Sequence, residues 1–175
     1  MSGPELATSV GFPPVARADA QVLVLGSLPG QTSLARQRYY AQPRNAFWKI
    51  TGELFGFDPA LDYDARLMRL VESRVALWDT CAAAVRPGSL DARILRDSVV
   101  PNAFAPFLRA HPQIHRICFN GATSAALFER LVVPGLPEPL RALPRLRLPS
   151  TSPAHAGMSH AHKLAAWREA LIVQP

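Results

Sequence analysis

Gln21-Val22-Leu23-Val24-Leu25-Gly26-Ser27-Leu28-Pro29-Gly30 reads as a buried strand that breaks into a glycine-bounded loop. Val22 to Leu25 form an apolar run rich in β-formers, without polar alternation, which marks a strand covered on both faces. Working outward, Val75–Asp79, Ile114–Phe119 and Leu146–Pro149 repeat the pattern of a short apolar run followed by a polar loop. Helical spacing falls between them, over residues 44–56, 63–73, 103–110, 122–131 and 160–172. Ser89 is placed to cap a short helix over 90–96. Strands alternating with helices predict an α/β fold with a mainly parallel sheet, and ligands then bind at the carboxyl ends of the strands. Residues 1–20 are expected to be an irregular lead-in, and residues 21–175 a single domain.

Composition narrows the class. The 175 residues are 49% hydrophobic and 18% charged, the balance of a globular chain. The formal charge is +6, and Lys49 and Lys163 are the only lysines. Arginine presents a planar fork to phosphate, so this surface suits nucleic acid, although arginine-rich coding habits produce the same excess. Cys81 and Cys118 form no CxxC pair and lie near no spaced histidines, which suggests neither a zinc nor an iron–sulfur site. Two buried free thiols suit a reducing cytoplasm. No apolar run approaches a membrane span, and the first residues lack the pattern of a signal peptide.

Three loops carry chemistry. Gly26-Ser27-Leu28-Pro29-Gly30 can bring backbone amides close to a ligand. Tyr39-Tyr40-Ala41-Gln42-Pro43-Arg44-Asn45-Ala46-Phe47-Trp48 offers an aromatic platform for a flat base, with Asn45 expected in the first helical turn, where its amide can hold a water molecule. Leu148-Pro149-Ser150-Thr151-Ser152-Pro153-Ala154-His155 is a stiff, hydroxyl-rich loop suited to pressing into a duplex groove. Each alone is also an ordinary turn, cap or connection.

Taken in order, GSLPG, YYAQPRNAFW, LWDT, FNGATSAALF and LPSTSPAHA, with a closing helix bearing Lys163 and Trp167, resemble the uracil-DNA glycosylase superfamily over residues 21–172. The nearest branch is that of the hypoxanthine-DNA glycosylases. The resemblance implies a three-layer α/β/α sandwich around a four-stranded sheet, and an enzyme that releases a deaminated base from duplex or single-stranded DNA without metal or cofactor. A monomer is expected. It implies Asn45 as the catalytic, water-positioning residue, and base contacts from Gly26, Ser27, Leu28, Tyr40 and Asn120. The loop Ser150, Thr151, Ser152, Pro153, Ala154 and His155 would enter the DNA, with Ala156, Gly157 and Met158 near the gap. Lys163 and Arg44 would meet phosphate.

The chain departs from the uracil enzymes in two places. Their first motif carries an aspartate absent here, and Leu148 stands where they begin the last motif with histidine. Both departures favour hypoxanthine over uracil. Uracil, xanthine or mismatched thymine remains an alternative substrate, and a DNA-binding module without catalysis an alternative function. A Ser27–Asp79–His155 hydrolase triad is a further alternative, although the GxSxG elbow is missing. Asp79 itself reads as a cap or a hydrogen-bonded strand end rather than a catalytic group.

Overall fold

The computed structural model describes residues 6–172. Four strands form a parallel sheet in the order β3-β2-β6-β7: β2 (Val22–Gly26), β3 (Val75–Asp79), β6 (Arg116–Asn120) and β7 (Arg145–Leu148). Gly26 aligns with Asp79, and Leu25 with both Trp78 and Phe119, so the strands end nearly level. β2 is buried throughout, as its unbroken apolar run requires.

Alternation along the strands divides the core in two. Val22, Val24, Val75, Leu77 and Cys118 pack with Phe47, Trp48, Ile50, Leu70 and Trp167 from α2 (Phe47–Phe55), α3 (Tyr63–Glu72) and α6 (His160–Leu171). Leu23, Leu25, Ala76, Ile117 and Phe119 turn to the other face. There they meet Phe104, Phe107, Leu108 and Phe128 from α4 (Phe104–Ala110) and α5 (Ala122–Leu131). The expected three-layer α/β/α sandwich is the architecture observed. Ser124 on α5 bolts helix to sheet, its hydroxyl donating to the carbonyls of Leu25 and Gly26.

Several elements differ from the sequence expectation. Thr8–Val10, inside the supposed irregular lead-in, form β1, which pairs with β4 (Cys81–Val85); β4 also pairs with β5 (Val100–Pro101). This small antiparallel sheet is alanine-rich, and alanine carries little β signal. Residues 1–5 lie outside the described residues. The polar stretch Gln31–Arg36 is helix α1. The helix expected over 90–96 is instead a 3₁₀ turn at Asp91–Arg93 and another at Arg96–Ser98. Ser89 caps neither; its hydroxyl accepts from the Gln31 N–H. Among the described residues no helix is long and apolar enough to cross a membrane.

The connections leaving β2 and β6 run to opposite sides of the sheet, toward β3 and β7. That reversal opens a crevice at the carboxyl ends of the strands, where an α/β sheet binds ligands.

Candidate active site

A cavity of about 780 Å³ occupies this crevice, lined by the loops after β2, β4, β6 and β7 and by Tyr40, Arg44 and Asn45. Ser27, Leu28, Asn120 and the Ser150–His155 stretch all border it, so the strand ends gather most of the residues expected there.

Tyr39 and Tyr40 part company. Both border the cavity, but Tyr39 is core, its hydroxyl donating to the Pro13 carbonyl, whereas the Tyr40 hydroxyl joins the polar network of the site. Tyr40 holds a left-handed φ of 53°, a backbone cost of about 1–2 kcal/mol for a residue with a Cβ. Two contacts hold it there: its ring stacks on Phe47 at 4.1 Å, and its hydroxyl accepts from Asn120 Nδ2 at 3.1 Å. Asn45 precedes α2 rather than sitting in its first turn. Its Oδ1 accepts from the Phe47 N–H at 3.0 Å, a local turn that fixes the side chain and leaves the amide N–H₂ group uncommitted among the described residues.

Asn120 does not fit the role of a group that both donates to and accepts from a base. Nδ2 spends its hydrogens on Tyr40 and on Thr151 Oγ1 (2.8 Å), while Oδ1 accepts from the Thr151 N–H (2.9 Å). It is a clamp, holding the last loop against the aromatic platform. Thr151, only 1% exposed, is likewise an anchor rather than a surface that meets DNA, its carbonyl accepting from the Ala46 N–H. Lys163 is withdrawn too: Nζ donates to the His155 carbonyl at 2.6 Å and the residue is 7% exposed, so it braces the loop instead of reaching phosphate. The exposed tip, Ala154 to Met158, remains free to make contacts, as does Arg44 on the rim.

Asp79 neither caps a helix nor ends a satisfied strand. It is 4% exposed, lines the cavity, and its Oδ2 has no hydrogen-bond partner among the described residues. Gly26 makes room for it, since a Cβ there would lie 2.4 Å from Asp79 Oδ1 and 3.1 Å from the Tyr40 hydroxyl. Loss of solvent, with the nearby Asp91 charge adding to it and Arg86 opposing it, pushes the Asp79 carboxyl up to about 7. The folded chain therefore keeps a proton that the unfolded chain releases near pH 4. Stability is greatest below the ordinary carboxylate range and falls as pH climbs to about 7. Asp79→Asn, which cannot ionise, is expected to melt higher than wild type at pH 8, by on the order of 2–4 kcal/mol, the gap closing toward pH 4. Parallel curves of Tm against pH would show that the carboxyl carries no such burden.

The hydrolase triad does not assemble. Ser27 Oγ donates to Asp91 Oδ1 at 2.7 Å, and among the described residues neither the His155 ring nor the Asp79 carboxylate is hydrogen-bonded to Ser27. Asp91 was missed by sequence reasoning; it lies 64 residues from its partner with no motif of its own. Behind it, Arg86 is withdrawn from water, its side chain 0% exposed. The guanidinium donates to the Leu28, Pro29 and Gly88 carbonyls and stands 3.9 Å from Asp91 Oδ1. No group of three or more His, Cys, Asp or Glu side chains is placed to hold a metal among the described residues.

The profile of the Uracil DNA glycosylase superfamily matches residues 13–171, nearly the whole described chain. The chain belongs to that superfamily. A hypoxanthine DNA glycosylase of Methanosarcina barkeri is 36% identical over 115 residues, 65% of this chain and 72% of that one. One from Methanosarcina acetivorans is 37% identical over 112 residues, covering 63% and 70%. The solution NMR structure of a candidate uracil DNA glycosylase from Methanosarcina acetivorans superposes with a TM-score of 0.76 at 30% identity, over 93% of this chain and 98% of that one. This superfamily member is a DNA glycosylase, and DNA is its substrate.

Proposed function

We propose that this glycosylase releases hypoxanthine, the deamination product of adenine, by hydrolysing its N-glycosidic bond and leaving an abasic site. The observation that carries this reading is Asp79, a residue lining the cavity whose buried Oδ2 has no hydrogen-bond partner among the described residues. In its ionised form, which gains ground as pH rises through about 7, the carboxylate accepts the ring N–H that hypoxanthine carries at N1, as do uracil, xanthine and thymine at their ring nitrogens, and that unmodified adenine lacks. A buried acceptor without a donor costs about 1–3 kcal/mol, a cost that a base with a ring N–H removes and adenine does not. The two curated relatives named for hypoxanthine add support.

The base must leave the stack to reach the cavity. Tyr40, propped by Phe47, offers its ring as a stacking surface, and the Ala154–Met158 tip fills the space vacated in the duplex. Asn45, with a free amide group at the cavity, orients the attacking water. Labelled duplexes carrying one hypoxanthine, uracil, xanthine or mismatched thymine, treated with enzyme and then hot alkali, test this reading. Strand cleavage at hypoxanthine is expected to exceed that at the other bases. Cleavage at uracil or thymine alone would replace the substrate, and tight binding without any cleavage would leave a binding module.

A further inference from the structure

Two carboxyls border a cavity that must receive a polyanion, while among the described residues Arg44 is the only Lys or Arg lining it. Negative charge there repels phosphate, so a compensating need for it is expected. Asp79 meets that need if it pairs with the base edge. Asp91 is held otherwise: Ser27 fixes Oδ1 from the end of β2, and the Arg86 guanidinium secures the loop from behind. Among the described residues nothing donates to Asp91 Oδ2. The side chain is 40% exposed and borders the cavity, so a water molecule can reach it. The loop Gly26–Gly30 brings no acid of its own to the site.

Breaking a glycosidic bond builds positive charge on the sugar, and a nearby carboxylate stabilises that charge more strongly than the uncharged bound state. We infer that Asp91, contributed by the loop after β4 and positioned by Ser27, is a catalytic carboxylate that faces the sugar and takes the proton of the attacking water. This rests on the base-excision reading above. In the step, the water oxygen bonds to C1′ and the C1′–N bond breaks, its electron pair leaving with the base. The water proton passes to Asp91 and returns through solvent to the departing base, giving the free base and an abasic sugar. Asn45 orients the water, Asp91 carries the charge, and Ser27 is a positioning residue.

Single-turnover release from the hypoxanthine duplex separates this role from loop architecture when read beside duplex affinity and Tm. Asp91→Asn keeps an acceptor for Ser27 and loses the charge. Its release rate is expected to fall on the order of 10²-fold, with duplex affinity equal to wild type or tighter and Tm little changed. Ser27→Ala is expected to slow release about 5–10-fold, again with affinity retained, as loss of one aiming hydrogen bond of roughly 1 kcal/mol implies. Asp91→Asn within threefold of wild type overturns the inference while leaving base excision standing. A rate loss matched by an equal loss of affinity or of Tm overturns it as well, since it marks a structural role. A wild-type chain inert on every duplex overturns this inference and the base-excision reading together.

Discussion

Asn45→Ala is expected to lower single-turnover release of hypoxanthine by on the order of 10²–10³-fold, with duplex affinity held within a fewfold. The magnitude is that of removing one preorganised polar group from a reacting centre. The substitution also deletes the acceptor that fixes the Phe47 N–H at the start of α2. That loss is of the order of 1 kcal/mol in stability and would be visible in Tm. Asn45→Asp separates the two effects, because it keeps an oxygen for Phe47 and replaces only the amide N–H₂. If Asn45→Asp is as impaired as Asn45→Ala while melting like wild type, the amide acts on water or substrate. Full activity in either variant would remove Asn45 from the mechanism.

Arg86→Met is expected to destabilise the chain by about 3–5 kcal/mol, a large share of the stability of a domain this size. The side chain has no exposure, and its guanidinium serves the carbonyls of Leu28, Pro29 and Gly88 together. Methionine fills much of the volume but takes the guanidinium donors from the Leu28 and Pro29 carbonyls, leaves Gly88 with Gln31 alone, and withdraws the positive charge beside Asp91 and Asp79. Urea unfolding checks the magnitude, and Arg86→Lys should fall between, since one ammonium cannot span carbonyls on both loops. A midpoint shift worth under about 1 kcal/mol for Arg86→Met would mean that the loops around the site are held by other means.

The parallel sheet was legible because its strands are unbroken apolar runs, and Val22–Leu25 could hardly be anything else. Thr8–Val10 and the alanine-rich Cys81–Val85 carry little intrinsic preference and become strands only by pairing. The site was legible as loops rather than as roles. Asn120 and Lys163 have the chemistry to meet a ligand, but the tertiary structure commits both to the loop after β7. Asp79 showed the opposite pattern. Its apolar neighbours suggested a satisfied strand end, yet whether a buried carboxylate has a partner depends on residues brought from elsewhere in the chain. The Ser27–Asp91 contact is the extreme case, since neither residue carries a local signal for the other.

The three tryptophans give this architecture an optical consequence. Trp48 donates its indole N–H to the Tyr39 carbonyl and Trp167 to the Pro149 carbonyl, so each is tied to a loop that leads into the cavity. Trp78 donates to the Phe12 carbonyl and packs with Phe104 and Phe107 on the other face of the sheet. Indole emission responds to the field at its N–H. The chain thus carries two built-in fluorophores wired to the loops that DNA must engage, so engagement can be followed in real time without a label.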